Sequence, residues 1–301
     1  MIVIATAEPY GAYHLTPFSS TDLAEKAIHL IPHGDTTQGT SSIPVSSDRT
    51  ILKDASLLVI TGGSISEWTE ELAREANSLN IPVVLSELAY TPDFVETAPD
   101  IKLAGITAGA PSGMRRYAHY LNVPEEDITI TGHPLLDDAT DHTPAPKDYQ
   151  RILLISSVGL PVGATTTLKE ATIELGMITP DIHVRLHPRE DHHLWTEYEV
   201  NHGTTLIEDL RNTDIVVGSP GTAYVAAAAL NIPIVTLKEA THPQVPEELI
   251  AASKVCTIKT LLETVQTATA TSPEIREDIV GPLGGSAQRM VAYWETIQHN
   301  Q

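Results

Sequence analysis

Residues Ile182–Asp191 read IHVRLHPRED, and residues Asp214–Val235 read DIVVGSPGTAYVAAAALNIPIV. Each segment begins as a short apolar strand and ends in residues suited to an anion. The first delivers His187 and Arg189 just past its strand, and the second delivers Ser219, Gly221 and Thr222 at the mouth of an alanine-rich helix. A helix N-terminus offers N–H groups and a positive dipole end to phosphate. A guanidinium grips phosphate oxygens in a two-pronged fork. On neighbouring βα units of an open parallel sheet, two such elements converge in the crevice beyond the strand ends. A phosphate-bearing ligand is the first functional expectation.

Outward from this stretch, short apolar runs alternate with helical segments along the whole chain. In the first half, strands are predicted at Ile2–Thr6, Ala27–Pro32, Ser56–Thr61, Pro82–Ser86, Leu103–Thr107 and Ile128–Thr131, with the clearest helices at Glu67–Leu79 and Gly113–Leu121. In the second half, strands are predicted at Arg151–Ser156, Ile182–Leu186, Thr205–Ile207, Asp214–Val217, Pro233–Leu237 and Val255–Ile258. Helices there are predicted at Thr166–Leu175, Ala223–Leu230, Pro246–Ala252 and Lys259–Thr267. Runs such as LLVI and PVVL suit strands covered on both faces, as in parallel sheets. Gly34–Asp48 is rich in Ser, Thr and Gly and reads as a loop, and Asp137–Asp148 (DDATDHTPAPKD) reads as a linker. The alternation implies an α/β protein of two Rossmann-like domains with parallel sheets facing across a cleft. The expected division is 1–138, a linker at 139–150, 151–284, and a closing helix at 285–301.

Composition limits the function. The 301 residues carry 18 Lys and Arg against 39 Asp and Glu, a formal charge of −21. No basic cluster stands out, which argues against nucleic acid and anionic membrane as partners. Cys256 is the single cysteine, so no internal disulfide forms and a reducing, cytoplasmic compartment is expected. No run approaches the ~18 apolar residues of a membrane span. The opening MIVIATAEPYGAYHL lacks a basic leader and reads as a first strand.

Four passages together resemble the GT-B glycosyltransferase superfamily, including its UDP-N-acetylglucosamine 2-epimerase branch and the polymer-forming transferases of cell-surface glycans. Gly11–Pro17 (GAYHLTP) is similar to the Gly-His-x-x-Pro turn after the first strand. Val123–Asp138 (VPEEDITITGHPLLDD) resembles the passage leading out of the N-terminal domain. Leu186–Arg189 (LHPR) resembles the His-Pro motif of CMP-sialic acid and CDP-glycerol transferases. Ser219–Pro233 resembles the turn, helix and strand that hold donor phosphates. The resemblance implies an acceptor domain followed by a donor domain. It also implies a nucleotide-sugar donor, a glycan or small-molecule acceptor, and catalysis with no separate cofactor and no metal. Homo-oligomerisation is left open. One departure is plain: the helix after Thr222 carries no carboxylate where many relatives hold the ribose hydroxyls. UDP-sugar use is thereby weakened, and CMP- or CDP-linked donors, an isomerase, or a catalytically silent binding module remain open.

Single residues divide between chemistry and structure. His14 is the leading candidate for the general base, since an imidazole titrates near neutral pH and the resemblance places this histidine at the cleft. His33 and Asp35 in His33-Gly34-Asp35 are the rival, and Glu87 is a third option at a strand end. Gly62-Gly63-Ser64 reads as a tight βα turn, and His133 helps to shape the exit from the first domain. His192-His193 reads as surface, because no further ligand completes a metal site. Arg185, inside a strand, reads as one half of a structural salt bridge.

Overall fold

A computed structural model describes residues 1–7, 11–35, 41–61, 66–88, 90, 98–141, 151–157, 160–187, 190–198, 200, 205–242 and 245–299. The chain divides into two compact units, Met1–Asp137 with Gly281–Gln301, and Asp138–Val280.

The first unit is built on seven strands: β1 (Ile2–Ala5), β2 (Ala27–Leu30), β3 (Val45–Ser46), β4 (Leu57–Thr61), β5 (Val83–Ser86), β6 (Gly105–Ala108) and β7 (Ile128–Ile130). All pair in parallel, in the order β3-β2-β1-β4-β5-β6-β7. Continuous apolar runs form these strands because both faces are covered. On one face Val3, Leu58, Val83 and Ile106 pack against Leu72 and Ala76 of helix Glu67–Ser78 and Tyr117 of helix Pro111–Leu121. On the other, Ile2, Ile4, Val59 and Val84 meet Met290, Val291 and Trp294 of helix Ser286–His299. That last helix belongs to the first unit. Its opening N–H groups, from Ser286 and Ala287, donate to the Asp137 carboxylate at 2.8 and 3.1 Å.

Toward the C-terminal strand ends the core turns polar. Thr61, Ser86 and Thr107 are neighbours in register, and all three are buried. Beside them, Thr6 and the fully buried His29 of β2 share a 2.7 Å hydrogen bond. Burial lowers the His29 pKa from 6.5 to about 4, so the ring stays neutral at pH 7. The unfolded chain takes up this proton as pH falls through 6.5, whereas the folded chain refuses it until about 4. The contribution is therefore complete above pH 6.5 and is lost progressively between 6.5 and 4, by an amount on the order of 2–3 kcal/mol. Urea titrations of wild type and His29→Gln between pH 7.5 and 4.5 are expected to diverge, the variant declining less steeply. Parallel declines would remove His29 from the account.

The second unit carries β8 (Arg151–Ile155), β9 (Asp181–Arg185), β10 (Ile215–Gly218), β11 (Ile234–Leu237) and β12 (Lys254–Cys256). They too are parallel, in the order β12-β11-β10-β8-β9. Ile152, Leu154, Ile215, Val217 and Val235 form the core with Leu168 and Leu175 of helix Ala164–Leu175 and Leu261 and Val265 of helix Leu261–Thr267. Arg185 of β9 forms the expected ion pair, with the buried Asp209 of helix Leu206–Arg211.

Three local expectations are corrected. Thr205–Ile207 is not a strand: Thr205 caps helix Leu206–Arg211 in a reciprocal box with Glu208. The capping pair outweighs the β-branched residues. Within the expected loop Gly34–Asp48, Val45–Ser46 pairs with β2 as an edge strand. Asp137–Asp141, read as linker, lies in the 3₁₀ segment Pro134–Asp141, and the rest of that linker falls outside the described residues. No helix among the described residues is long and apolar enough to cross a membrane.

Candidate functional site

Because all strands of the second unit run the same way, their C-terminal ends share one edge. The chain leaves β8 toward one side for β9 and returns to the other side for β10, so β8 and β10 bound a topological switch point, the usual ligand position in such sheets. Ser156 follows β8, His187 lies two residues beyond β9, and Ser219 follows β10. β9 and β10 are not neighbours as the sequence suggested, because β8 lies between them. The segment after β8 therefore belongs to the site, and the sequence reading passed over it.

Backbone bonds hold these residues. Ser156 N–H donates to Arg185 O at 3.0 Å, and Ser219 N–H donates to Ile155 O at 3.2 Å, extending both ladders past the strand ends. Ser219 is buried, and Gly218 before it has φ +146° with the Ile155 carbonyl packed against its Cα. Gly221 is the cap residue of helix Thr222–Ala229; lacking a side chain, it gives the first turn no side-chain acceptor. That is the arrangement a helix uses to receive an external anion.

Tyr224 through Ala229 are all buried, so this helix presents no polar face there. The Tyr224 hydroxyl donates to Gly218 O at 2.9 Å and accepts from Thr236 Oγ1 at 3.2 Å. Burial pushes its pKa up, keeping the phenol neutral. Tyr224 thus ties the helix to the end of β10.

Glu190 was missed in the sequence. Its N–H donates to His187 O at 2.8 Å, closing a turn after β9. Its Oε1 accepts from Ser156 Oγ at 2.7 Å and from Nε1 of the fully buried Trp195 at 3.1 Å. The carboxylate thus crosses from the end of β9 to the end of β8. Arg189, the other half of the expected grip, lies outside the described residues. His192 and His193 are exposed in a 3₁₀ turn.

In the first unit, His14 is half-buried in the short helix Gly11–Leu15 after β1. His33 and Asp35 are exposed in the turn after β2, where Gly34 takes φ +89° and Asp35 N–H bonds Pro32 O at 3.2 Å. These residues follow adjacent strands at the same edge of the sheet. Gly62-Gly63-Ser64 lies outside the described residues.

Glu87, directly after β5, is wholly buried. Its Oε2 accepts from Gly109 N–H at 2.8 Å, and its Oε1 accepts from Arg116 at 3.1 Å. The Arg116 guanidinium also lies over the Tyr90 ring at 4.4 Å and donates to its hydroxyl at 3.2 Å. Two glycines make the room. A Cβ on Gly113 would stand 2.4 Å from Glu87 Oε2, and one on Gly109 would stand 2.0 Å from the buried His133 ring. The stretch AGAPSG at Ala108–Gly113 is the only sequence signal that could have announced this cluster.

No protein-family model matches the chain, and no curated protein matches it in sequence. Solved structures do match. The UDP-GlcNAc 2-epimerase of Methanocaldococcus jannaschii, in complex with UDP-GlcNAc and UDP, is similar with a TM-score of 0.62 at 14% identity, over 98% of this chain and 99% of that one. The wall teichoic acid polymerase TagF, soaked with CDPG, is similar with a TM-score of 0.65 at 12% identity, over 100% of this chain and 90% of that one. MurG of Acinetobacter baumannii gives 0.57 at 11% identity, over 98% and 99%. All three are GT-B proteins, and the chain has the GT-B fold.

Proposed function

We propose that the chain is a glycosyltransferase of GT-B type, moving a sugar or sugar-like group from a CMP-, CDP- or UDP-linked donor to a glycan or small-molecule acceptor. The observation that carries this reading is the placement of His187, Ser156, Ser219 and a helix start capped by a glycine at three adjacent strand ends, β9, β8 and β10. His187, Arg189, Ser219, Thr222 and the Gly221 turn hold the donor phosphate. They stabilise the negative charge that grows on the leaving nucleotide as its bond to the sugar breaks, with no metal required. His14 takes the proton of the acceptor hydroxyl as that oxygen bonds the sugar carbon, with Asp35 beside His33 as the alternative base. The similar solved structures in complex with UDP-GlcNAc and UDP, or soaked with CDPG, support a nucleotide-linked ligand. We propose a cytoplasmic location, for which the single cysteine, Cys256, is the support.

The test is a melting panel with CMP, CDP, UDP and UDP-GlcNAc. A ligand at ~100 times its Kd adds about 2.7 kcal/mol of apparent stability. His187→Ala is expected to weaken binding at least ~10-fold, about 1.4 kcal/mol. No shift with any nucleotide would end the enzyme reading. An isomerase acting on the same kind of ligand is the second reading, favoured by the likeness to 2-epimerases. Conversion of UDP-GlcNAc to its manno epimer, without transfer to an acceptor, would establish it instead.

A further inference from the structure

We infer that Glu190 is the residue through which the second unit takes a sugar hydroxyl of its ligand, the part left unfilled by the helix after Thr222. The inference rests on the nucleotide-donor reading and names the recognition of that donor's sugar. Among the described residues, only one oxygen of the carboxylate has hydrogen-bond partners. Oε1 accepts both the Ser156 hydroxyl and the Trp195 indole N–H. Oε2 is buried and has no hydrogen-bond partner among the described residues. Buried polar atoms are nearly always paired, and the exceptions collect where a ligand or water completes the pairing.

The partner that fits can be named by its chemistry. A carboxylate oxygen only accepts, so it repels phosphate and needs a donor. Hydroxyls of a ribose, or of the sugar carried beyond the phosphates, are donors attached directly to the phosphate chain. Glu190 stands at the right place for them. Its own N–H closes the turn on His187, and Ser156 fixes its carboxylate at the end of β8, one of the two strands that bound the switch point. The helix Thr222–Ala229 offers no carboxylate of its own, and its residues from Tyr224 onward face the core. A rigid bracket through Oε1 also holds Oε2 at a fixed position, which is what discrimination between a hydroxyl and a hydrogen requires.

Glu190→Gln isolates the free oxygen. The indole N–H of Trp195 can only donate, so the amide oxygen must keep the Oε1 position and the amide NH₂ takes the place of Oε2. Binding of UDP and CDP is measured by titration calorimetry against their 2′,3′-dideoxy forms, and of UDP-GlcNAc against UDP. Wild type is expected to prefer the ribonucleotide ~10–100-fold, as for a hydrogen bond to a charged group, and Glu190→Gln is expected to abolish the preference. If the ribose ratio is unity but the variant loses the advantage of UDP-GlcNAc over UDP, the hydroxyl belongs to the transferred sugar, and the assignment stands with that source. A mere bracket would weaken every ligand alike, so the ratios carry the test. Ratios unchanged by Glu190→Gln overturn the assignment while nucleotide binding itself survives. Absence of any nucleotide binding by wild type overturns the donor reading and this assignment together.

Discussion

Replacing Gly218 by alanine is expected to cost the second unit about 3–5 kcal/mol, close to the whole margin of a small domain. Gly218 ends β10 at φ +146°, a conformation that L side chains rarely adopt. The added methyl would stand 2.1 Å from Ile155 O and 3.0 Å from Ile155 N and C. Those atoms are backbone of the neighbouring strand, so no side chain can swing aside. Relief must come from parting β8 and β10, the pair that brackets the proposed ligand position. Thermal unfolding should show a fall of roughly 10–15 °C in the transition of this unit, with loss of near-ultraviolet signal from the buried Trp195. Gly221→Ala is the internal control. Gly221 is extended at φ 175°, and nothing lies within 4 Å of an added Cβ, so that variant should melt with wild type. A Gly218→Ala protein melting within about 3 °C of wild type would mean that the strand ends yield easily.

The contrast between these two glycines marks where sequence stops informing. GSPGT announces a strand end turning into a helix, and that much was legible. Which glycine is demanded by backbone and which is merely small depends on Ile155 at the end of β8, far earlier in the chain. Strand runs and helix starts are local patterns, and most survive intact, as does the Arg185 ion pair implied by one charge in an alternating strand. Thr205–Ile207 failed because three β-branched or apolar residues resemble a strand, while the Thr205–Glu208 cap acts through a hydrogen bond that outweighs propensity. Strand order is not local at all. His187 and Ser219 were read on neighbouring βα units, yet β8 enters between their strands from earlier in the chain. Glu87 and Glu190 were hardest to read. A carboxylate just after a strand looks solvated until the folded chain supplies donors from Gly109 and Arg116, or from Ser156 and Trp195.

Glu87→Ala is expected to destabilise the first unit by about 3–5 kcal/mol, the usual result of removing one side of a buried ion pair. Glu87 is fully buried and the Arg116 side chain is 14% exposed, so the pair is little screened by salt. Two further losses accompany it. Gly109 N–H loses its acceptor, and the start of helix Pro111–Leu121, whose cap residue Ala110 provides no side-chain bond, loses the negative group beside Gly113. Urea unfolding should show a lower midpoint with unchanged slope. Arg116→Met alone should also destabilise, and the double variant Glu87→Ala/Arg116→Met should lose less than the two single changes together, by at least ~1.5 kcal/mol. Additivity within about 0.5 kcal/mol would show that the two groups act separately. The coupling bears on chemistry as well as stability. A carboxylate clamped by a backbone N–H and a guanidinium is held as an acceptor and moves a proton only by breaking the clamp. That clamp favours the proposal that the half-buried His14, and not Glu87, is the base.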